Sequence, residues 1–270
     1  MTDTRPQVFT ANGPKVVGVN RHNRAAYRTS PVTQIPQRRI GLVRSTPFSY
    51  ECGRCSRCCY HKGISLNPYE VLRLARNQGL TTTAFIRRYT DTAGTQLKQR
   101  KDGACVFMTA DGCGVHTDRP LVCRIYPLGR HIEPDGEETF SELEPHAETR
   151  GVYGKGATID EYLSGQGTRE FLDAADRYLN LFWHMSDQLL RQAAHLAPLE
   201  HSAVGKRYVQ PDGGARPDAG GLDIDATLDR YCAEAGVTKP VETAHLLQMH
   251  LEVLERLSNT LDNPVEEKSQ

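Results

Sequence analysis

Seven cysteines lie between positions 52 and 123: Cys52, Cys55, Cys58 and Cys59 open the stretch, and Cys105, Cys113 and Cys123 close it. The eighth, Cys232, stands far downstream. In the opening run Cys52-Gly53-Arg54-Cys55-Ser56-Arg57-Cys58-Cys59, a two-residue gap is used twice. Such gaps let a tight turn aim successive thiolates at one metal centre while backbone N–H groups point at the sulfurs. Neighbouring side chains diverge, so the adjacent Cys58-Cys59 pair implies a second site or a reserve ligand.

Two metal chemistries fit this donor set. Structural zinc is satisfied by four tetrahedral ligands, and seven thiolates exceed that need unless two ions bind. Three closely spaced cysteines with a remote fourth, Cys113 or Cys123, suit a [4Fe–4S] cluster and resemble the ligand loop of a bacterial ferredoxin. Either centre is anionic once four thiolates hold it. Arg54, Arg57, Lys62, Arg119 and Arg124 stand beside the cysteines in the sequence. Arg119 and Arg124 flank Cys123 most closely and are expected to neutralise the centre through charge-assisted hydrogen bonds.

The rest of the composition decides between metal ligation and crosslinking. The chain has 270 residues, 38% hydrophobic and 24% charged, with a net charge of zero. That excludes a disordered polyelectrolyte, and no run of about 18 apolar residues marks a membrane span. The start, Met1-Thr2-Asp3-Thr4-Arg5-Pro6, lacks the features of a secretory signal, so the expected compartment is the cytoplasm. Thiols stay reduced there, which favours metal ligands or redox centres over disulfides.

The elements that must position the cysteines read as an α+β fold: a small cysteine-rich metal-binding domain with a helical C-terminal part. Residues 1–46 are expected to form a disordered basic arm, with Arg5, Lys15, Arg21, Arg24, Arg28, Arg38, Arg39 and Arg44 against the single acid Asp3. The cysteine domain spans 47–157. Within it, Asn67-Pro68-Tyr69-Glu70 announces a capped helix running to Gly79, followed by a second helix from about Thr82. Short strands are predicted at 95–108 and 113–115 around Asp111-Gly112, and another pair at about 130–142, turning at Pro134-Asp135-Gly136. A long-helix region follows at 158–200, with Thr168 as N-cap, then a linker at 201–221, helices within 222–262 and a tail at 263–270. The last helix should bury Leu246, Leu247, Leu251, Leu254 and Leu257. An acidic stretch from Glu133 to Glu148 carries no Lys or Arg. It reads as solvated surface, or as one half of a charge segregation in which the arm seeks an acidic partner or nucleic acid.

The later cysteines sit in Gly112-Cys113-Gly114-Val115-His116 and in Arg119-Pro120-Leu121-Val122-Cys123-Arg124-Ile125-Tyr126-Pro127. Taken with the opening run, the capped helix pair and the cysteine hairpin, this pattern resembles the CxxCxxCC cysteine-cluster family of YkgJ-type zinc- or iron-chelating proteins. It is also similar to the cysteine-rich part of flagellin lysine-N-methylases. The likeness covers about residues 50–156 and implies a metal site on the seven cysteines. It also implies a further cysteine just before Gly151, where this chain has Thr149 and Arg150. A family site of eight sulfurs would here draw on His116, His61 or water, or hold one centre.

Other features carry less. Gly151-Val152-Tyr153-Gly154-Lys155-Gly156 lacks the spacing of a phosphate-binding loop and reads as a turn. His245 and His250 are five apart and cannot share one helix face as a metal pair. Cys232 reads as a buried apolar thiol. Three functions follow: a metal-chelating protein holding an iron–sulfur cluster or zinc; a protein-modifying enzyme of the lysine-N-methylase type, with a protein substrate; and a zinc-stabilised adaptor. The adaptor would bind nucleic acid through a basic arm, against which the arm's lack of interleaved aromatics argues. Whether the chain is an enzyme is left open by the sequence, and no membrane partner is expected.

Overall fold

The computed structural model describes residues 37–91, 94–133, 135–154, 156–196 and 220–262. In chain order the elements are β1 (Gln37–Leu42), α1 (Pro68–Asn77), α2 (Thr82–Tyr89), β2 (Met108–Thr109), β3 (Gly112–Cys113), α3 (Leu121–Arg124), β4 (Leu128–Ile132), β5 (Glu138–Leu143), α4 (Ile159–Gly165), α5 (Arg169–Leu196), α6 (Ile224–Ala235) and α7 (Thr243–Asp262). The architecture is α+β with a helical C-terminal part, as the sequence predicts. No helix among the described residues is long and apolar enough to cross a membrane. Most of the predicted arm, linker and tail, residues 1–36, 201–219 and 263–270, lie outside the described residues.

The chain divides into two units, the first made of the described part of Met1–Leu66 with Arg87–Leu172. Its main sheet is antiparallel in the order β1-β5-β4. The β4–β5 hairpin runs in unbroken register from Leu128↔Glu142 to Ile132↔Glu138. Gly136, at φ +87°, takes the left-handed turn position that the sequence marked.

β1 corrects the sequence reading, because residues 37–42 of the predicted arm are a strand. Opposite charges account for it: Arg39 Nε donates to Glu142 Oε2 at 2.5 Å across the β1–β5 pair. Arg44 gives two bonds to Glu138, at 2.5 and 3.0 Å, and Arg130 gives that carboxylate a third at 2.5 Å. Part of the acidic stretch is thus answered by arginines of its own unit. Under the sheet lies a core that includes Phe48, Tyr126, Leu128, Phe140, Ile159 and Leu163, and Cys58 packs against it. A capping box between Thr158 and Glu161 starts α4.

The strands predicted at 95–108 and 113–115 are mostly absent. Arg100 N bonds Ala104 O and Gly103 N bonds Arg100 O, so a tight turn at Lys101-Asp102 interrupts any long strand. What remains is the two-residue β2–β3 ladder, Met108↔Cys113 and Thr109↔Gly112, with Ala110-Asp111 as its loop, one residue earlier than expected. Isolated bridges, Tyr60↔Ala104 and Ser65↔Gln96 among them, tie this region to the segment after the first cysteines.

The second unit comprises Asn67–Ile86 and the described part of Asp173–Gln270. It takes in α1 and most of α2, which the sequence grouped with the cysteines. The physical reason is packing: Leu72 of α1 shares a buried core with Ile224, Leu228, Leu246 and Val253. Thr82, at the start of α2, gives its hydroxyl to Asp223 and its N–H to Asp225, both at 2.7 Å. The capping box of α1, Asn67 with Glu70, forms as predicted. At the start of α5 the Thr168 hydroxyl donates to Leu163 O at 2.9 Å and the Thr168 carbonyl accepts the N–H of Leu172 at 2.8 Å. On α7, Leu246, Leu247, Leu251 and Leu254 are buried, whereas Leu257 is half exposed.

Candidate metal centre

The Cys52–Cys59 loop owes its shape to unusual backbone. Arg54 and Ser56 both adopt left-handed conformations, at φ 50° and 59°, which few residues without a glycine's freedom take. The chain therefore reverses sharply twice, then closes with a 3-10 turn over Arg57–Cys59, where Cys59 N bonds Ser56 O at 2.9 Å. Gly53 is required by a close approach: a Cβ there would stand 2.5 Å from Arg150 O. Glu51 and Val152 exchange both backbone bonds, at 2.8 and 3.0 Å, and hold the later segment against the loop.

The remaining cysteines arrive on short elements. Cys105 gives its N–H to Cys59 O at 2.8 Å, so the two sequence clusters meet through the backbone. Cys113 sits on β3 and Cys123 on α3. Together Cys52, Cys58, Cys59, Cys105, Cys113 and Cys123 line one cavity of about 70 Å³. By the same measure one water needs about 10–15 Å³, so the space exceeds a single small ion. Its wall also carries Lys62, Arg54, Arg119 and His116 over an apolar base that includes Ile64, Leu97 and Phe107, and it carries no Asp or Glu.

Cys55 is the one predicted ligand that does not line this cavity. Its sulfur instead accepts the N–H of Arg150 at 3.4 Å. Positions 149–150, which the sequence marked only by a missing cysteine, thus contact the site through Arg150's backbone. Among the described residues no three His, Cys, Asp or Glu side chains are grouped closely enough to share one ion. The thiols border a space and do not converge on a point.

Residues 51–146 match the family model CxxCxxCC, described as "Putative zinc- or iron-chelating domain". Over those residues the chain is similar to the CxxCxxCC domain. No curated protein and no solved structure matches the chain.

The electrostatics of the CxxCxxCC domain separate its thiols. A hydrogen bond from the Cys59 thiol, with Lys62 and Arg119 close by, lowers Cys58 to about 6 although burial opposes it. The same contact, with burial, raises Cys59. Burial pushes Cys123 up to about 12, and Lys62 only partly offsets it. Burial likewise raises Cys105 and Cys113. Desolvation works against ionisation of Cys55 too, but the N–H groups of Arg150 and Arg57 hold it below the usual thiol range. These directions suit a site in which a cation must displace protons from a partly buried set of thiols.

Of the two expected arginines, the CxxCxxCC domain aims one at the cavity. Arg119 lines it while donating to His116 O at 2.6 Å and to Gln166 Oε1 at 2.8 Å. Arg124 does not line it: its guanidinium donates to the carbonyls of Arg119 at 3.0 Å, Gln166 at 3.1 Å and Thr117, and lies 3.9 Å from the Phe171 ring centroid. Lys62, by contrast, lines the cavity. Of the two histidines, His116 lines the cavity. His61 packs over Gly103, where a Cβ would meet its ring at 2.1 Å, and is not part of the wall.

Proposed function

We propose that the CxxCxxCC domain holds an anionic, thiolate-bound metal centre in this cavity, and that an iron–sulfur cluster fits it better than a single zinc. The observation that carries the reading is the wall itself: six cysteine thiols, with Lys62 and Arg119 beside them and no carboxylate. Sulfur donors without carboxylate oxygen exclude sites built for calcium or magnesium and favour zinc, iron–sulfur or copper(I). Partly buried positive charge with no acid in the wall favours a centre of net negative charge.

The choice of cluster over one zinc rests on spacing. One zinc draws four donors to about 2.3 Å from a single point. A cluster takes its thiolates on separate iron atoms, which suits sulfurs spread around a space. Bound there, a cluster would supply one-electron chemistry or a structural tie. The chain's own part is to present Cys52, Cys58, Cys59, Cys105, Cys113 and Cys123, to compensate charge through Lys62 and Arg119, and to line the rest of the space with apolar side chains such as Phe107 and Leu97. No observation favours the lysine-N-methylase or nucleic-acid reading over this one.

The test is anaerobic purification followed by metal and acid-labile sulfide analysis with visible absorption. Iron with matching sulfide and a broad visible band is the expected result. Zinc without sulfide would keep the thiolate centre and overturn the cluster. A colourless protein that takes up neither metal would overturn both.

A further inference from the structure

His116 enters the cysteine cavity with an unanswered polar atom. Its Nε2 is buried and has no hydrogen-bond partner among the described residues. The other ring nitrogen, Nδ1, lies 3.3 Å from Nη1 of Arg119. A guanidinium has five N–H donors and no acceptor, so at this contact Nδ1 must accept. In a neutral imidazole the proton is then on Nε2. Burial, together with Arg119, Arg54 and Arg124, keeps the ring neutral. The outcome is a buried N–H group, on a residue that lines the thiol cavity, with no hydrogen-bond partner among the described residues.

That tautomer bears on the ring's role. A histidine that ligates through Nε2 needs its lone pair there, and usually gives the Nδ1 proton to a carboxylate or carbonyl. Here Nδ1 faces a cation that can only donate. A protonated Nδ1 would set N–H against N–H, so the contact that holds His116 in place opposes ligation.

We propose that His116 serves the thiolate centre as a hydrogen-bond donor through Nε2–H to a sulfur of the bound centre, and is not a metal ligand. This rests on the proposed thiolate centre. It makes Arg119 a positioning residue, since its guanidinium selects the donor tautomer. An N–H bond to thiolate or sulfide sulfur stabilises the more negative state of the centre, so losing it weakens binding and, in a redox-active cluster, shifts the reduction potential negative.

The decisive measurement uses the unmodified chain. Isotope-labelled full-length protein is loaded with zinc, a diamagnetic probe, and its histidine tautomers are read by long-range proton–nitrogen correlation. His116 should show a protonated Nε2 and an unprotonated Nδ1 in the loaded state. A deprotonated, metal-shifted Nε2 would overturn the proposal even if every variant failed to fold. Zinc competition against a chromophoric chelator then compares variants. His116→Phe should keep the wild-type number of zinc equivalents but lose affinity by about tenfold or more, and His116→Gln, which retains an N–H donor, should recover most of it. Loss of one zinc equivalent in both variants would mark a ligand, and wild-type affinity in His116→Phe would remove any role; either result overturns the inference. Failure of wild-type protein to take up zinc, or iron with sulfide, is a separate outcome that defeats the metal centre itself and the inference with it.

Discussion

The ammonium of Lys62 lies 3.8 Å from the centroid of the Tyr126 ring, on the wall of the cysteine cavity. Desolvation depresses this amine, and the neighbouring sulfurs of Cys123, Cys58 and Cys59 favour its charge in return. For a half-buried lysine with no carboxylate in the same wall, negative charge from the thiols or what they bind favours the cation. The ring face adds a further attraction that is strongest where water is excluded.

Replacing that lysine tests the electrostatics directly. Lys62→Met removes the positive neighbour that lowers both Cys58 and Cys123. Those thiols then ionise at higher pH, so half-maximal zinc occupancy should move up by about one pH unit. Occupancy against pH, measured on wild type and variant, checks it. Coincident curves would remove Lys62 from the site's charge balance.

The cysteines should not behave as equals. Cys58→Ser and Cys123→Ser each take a thiol from the cavity wall and should sharply lower metal content. Cys55→Ser should cost less, because its sulfur is held by Arg150 N–H outside the wall. Cys232→Ser should leave metal content unchanged: that thiol is buried on α6 of the other unit, 3.9 Å from Met249 Sδ. Metal analysis of the four purified variants gives the ranking, and equal losses at Cys55 and Cys123 would show that the loop rearranges to ligate.

How far this site was legible depends on whether the signal was local. The capping box at Asn67–Glu70 and the turn at Gly136 are local, and both appear where the residues place them. The Thr158–Glu161 box was equally local, a Thr-x-x-Glu pattern ahead of Ile159, and would have located α4. β1 was not legible, because Gln37-Arg38-Arg39-Ile40-Gly41-Leu42 resembles the arm before it and becomes a strand only when Glu142 answers its arginines from a hundred residues away. The same distinction divides the site. Six cysteines reach one cavity as their clustering suggests, whereas the direction of Cys55 is set by Arg150 and that of Arg124 by Gln166, contacts no spacing rule contains.

Arg124 is therefore expected to matter for folding and not for metal. Its guanidinium bridges three carbonyls and covers Phe171. A lysine can satisfy one of these at a time and lacks the planar face, so Arg124→Lys takes hydrogen bonds from part-buried carbonyls at a cost of about 1 kcal/mol or more. Thermal unfolding should show a clear fall in midpoint, with metal per folded chain unchanged. A loss of metal at undiminished stability would return this arginine to the centre.

The helical unit offers a prediction independent of any metal. His250 on α7 is fully buried, with Nδ1 at 2.8 Å from the Tyr178 hydroxyl and Nε2 without a hydrogen-bond partner among the described residues. Burial lowers its pKa from 6.5 to about 4. Because the folded pKa lies below the unfolded one, the unfolded chain binds the extra proton between these values. The stabilisation is complete above pH 6.5 and is lost as pH falls towards 4, by a total of about 3 kcal/mol at most. Trp183, the chain's one tryptophan, lies on α5 in this unit and reports its unfolding by fluorescence. Denaturant midpoints should drop between pH 6.5 and 4 in wild type. In His250→Gln, which keeps a polar partner for Tyr178 but does not titrate, the curve should be lower overall and flatter across the same interval. A wild-type slope no steeper than the variant's would show that protonation of His250 is not what weakens this unit in acid.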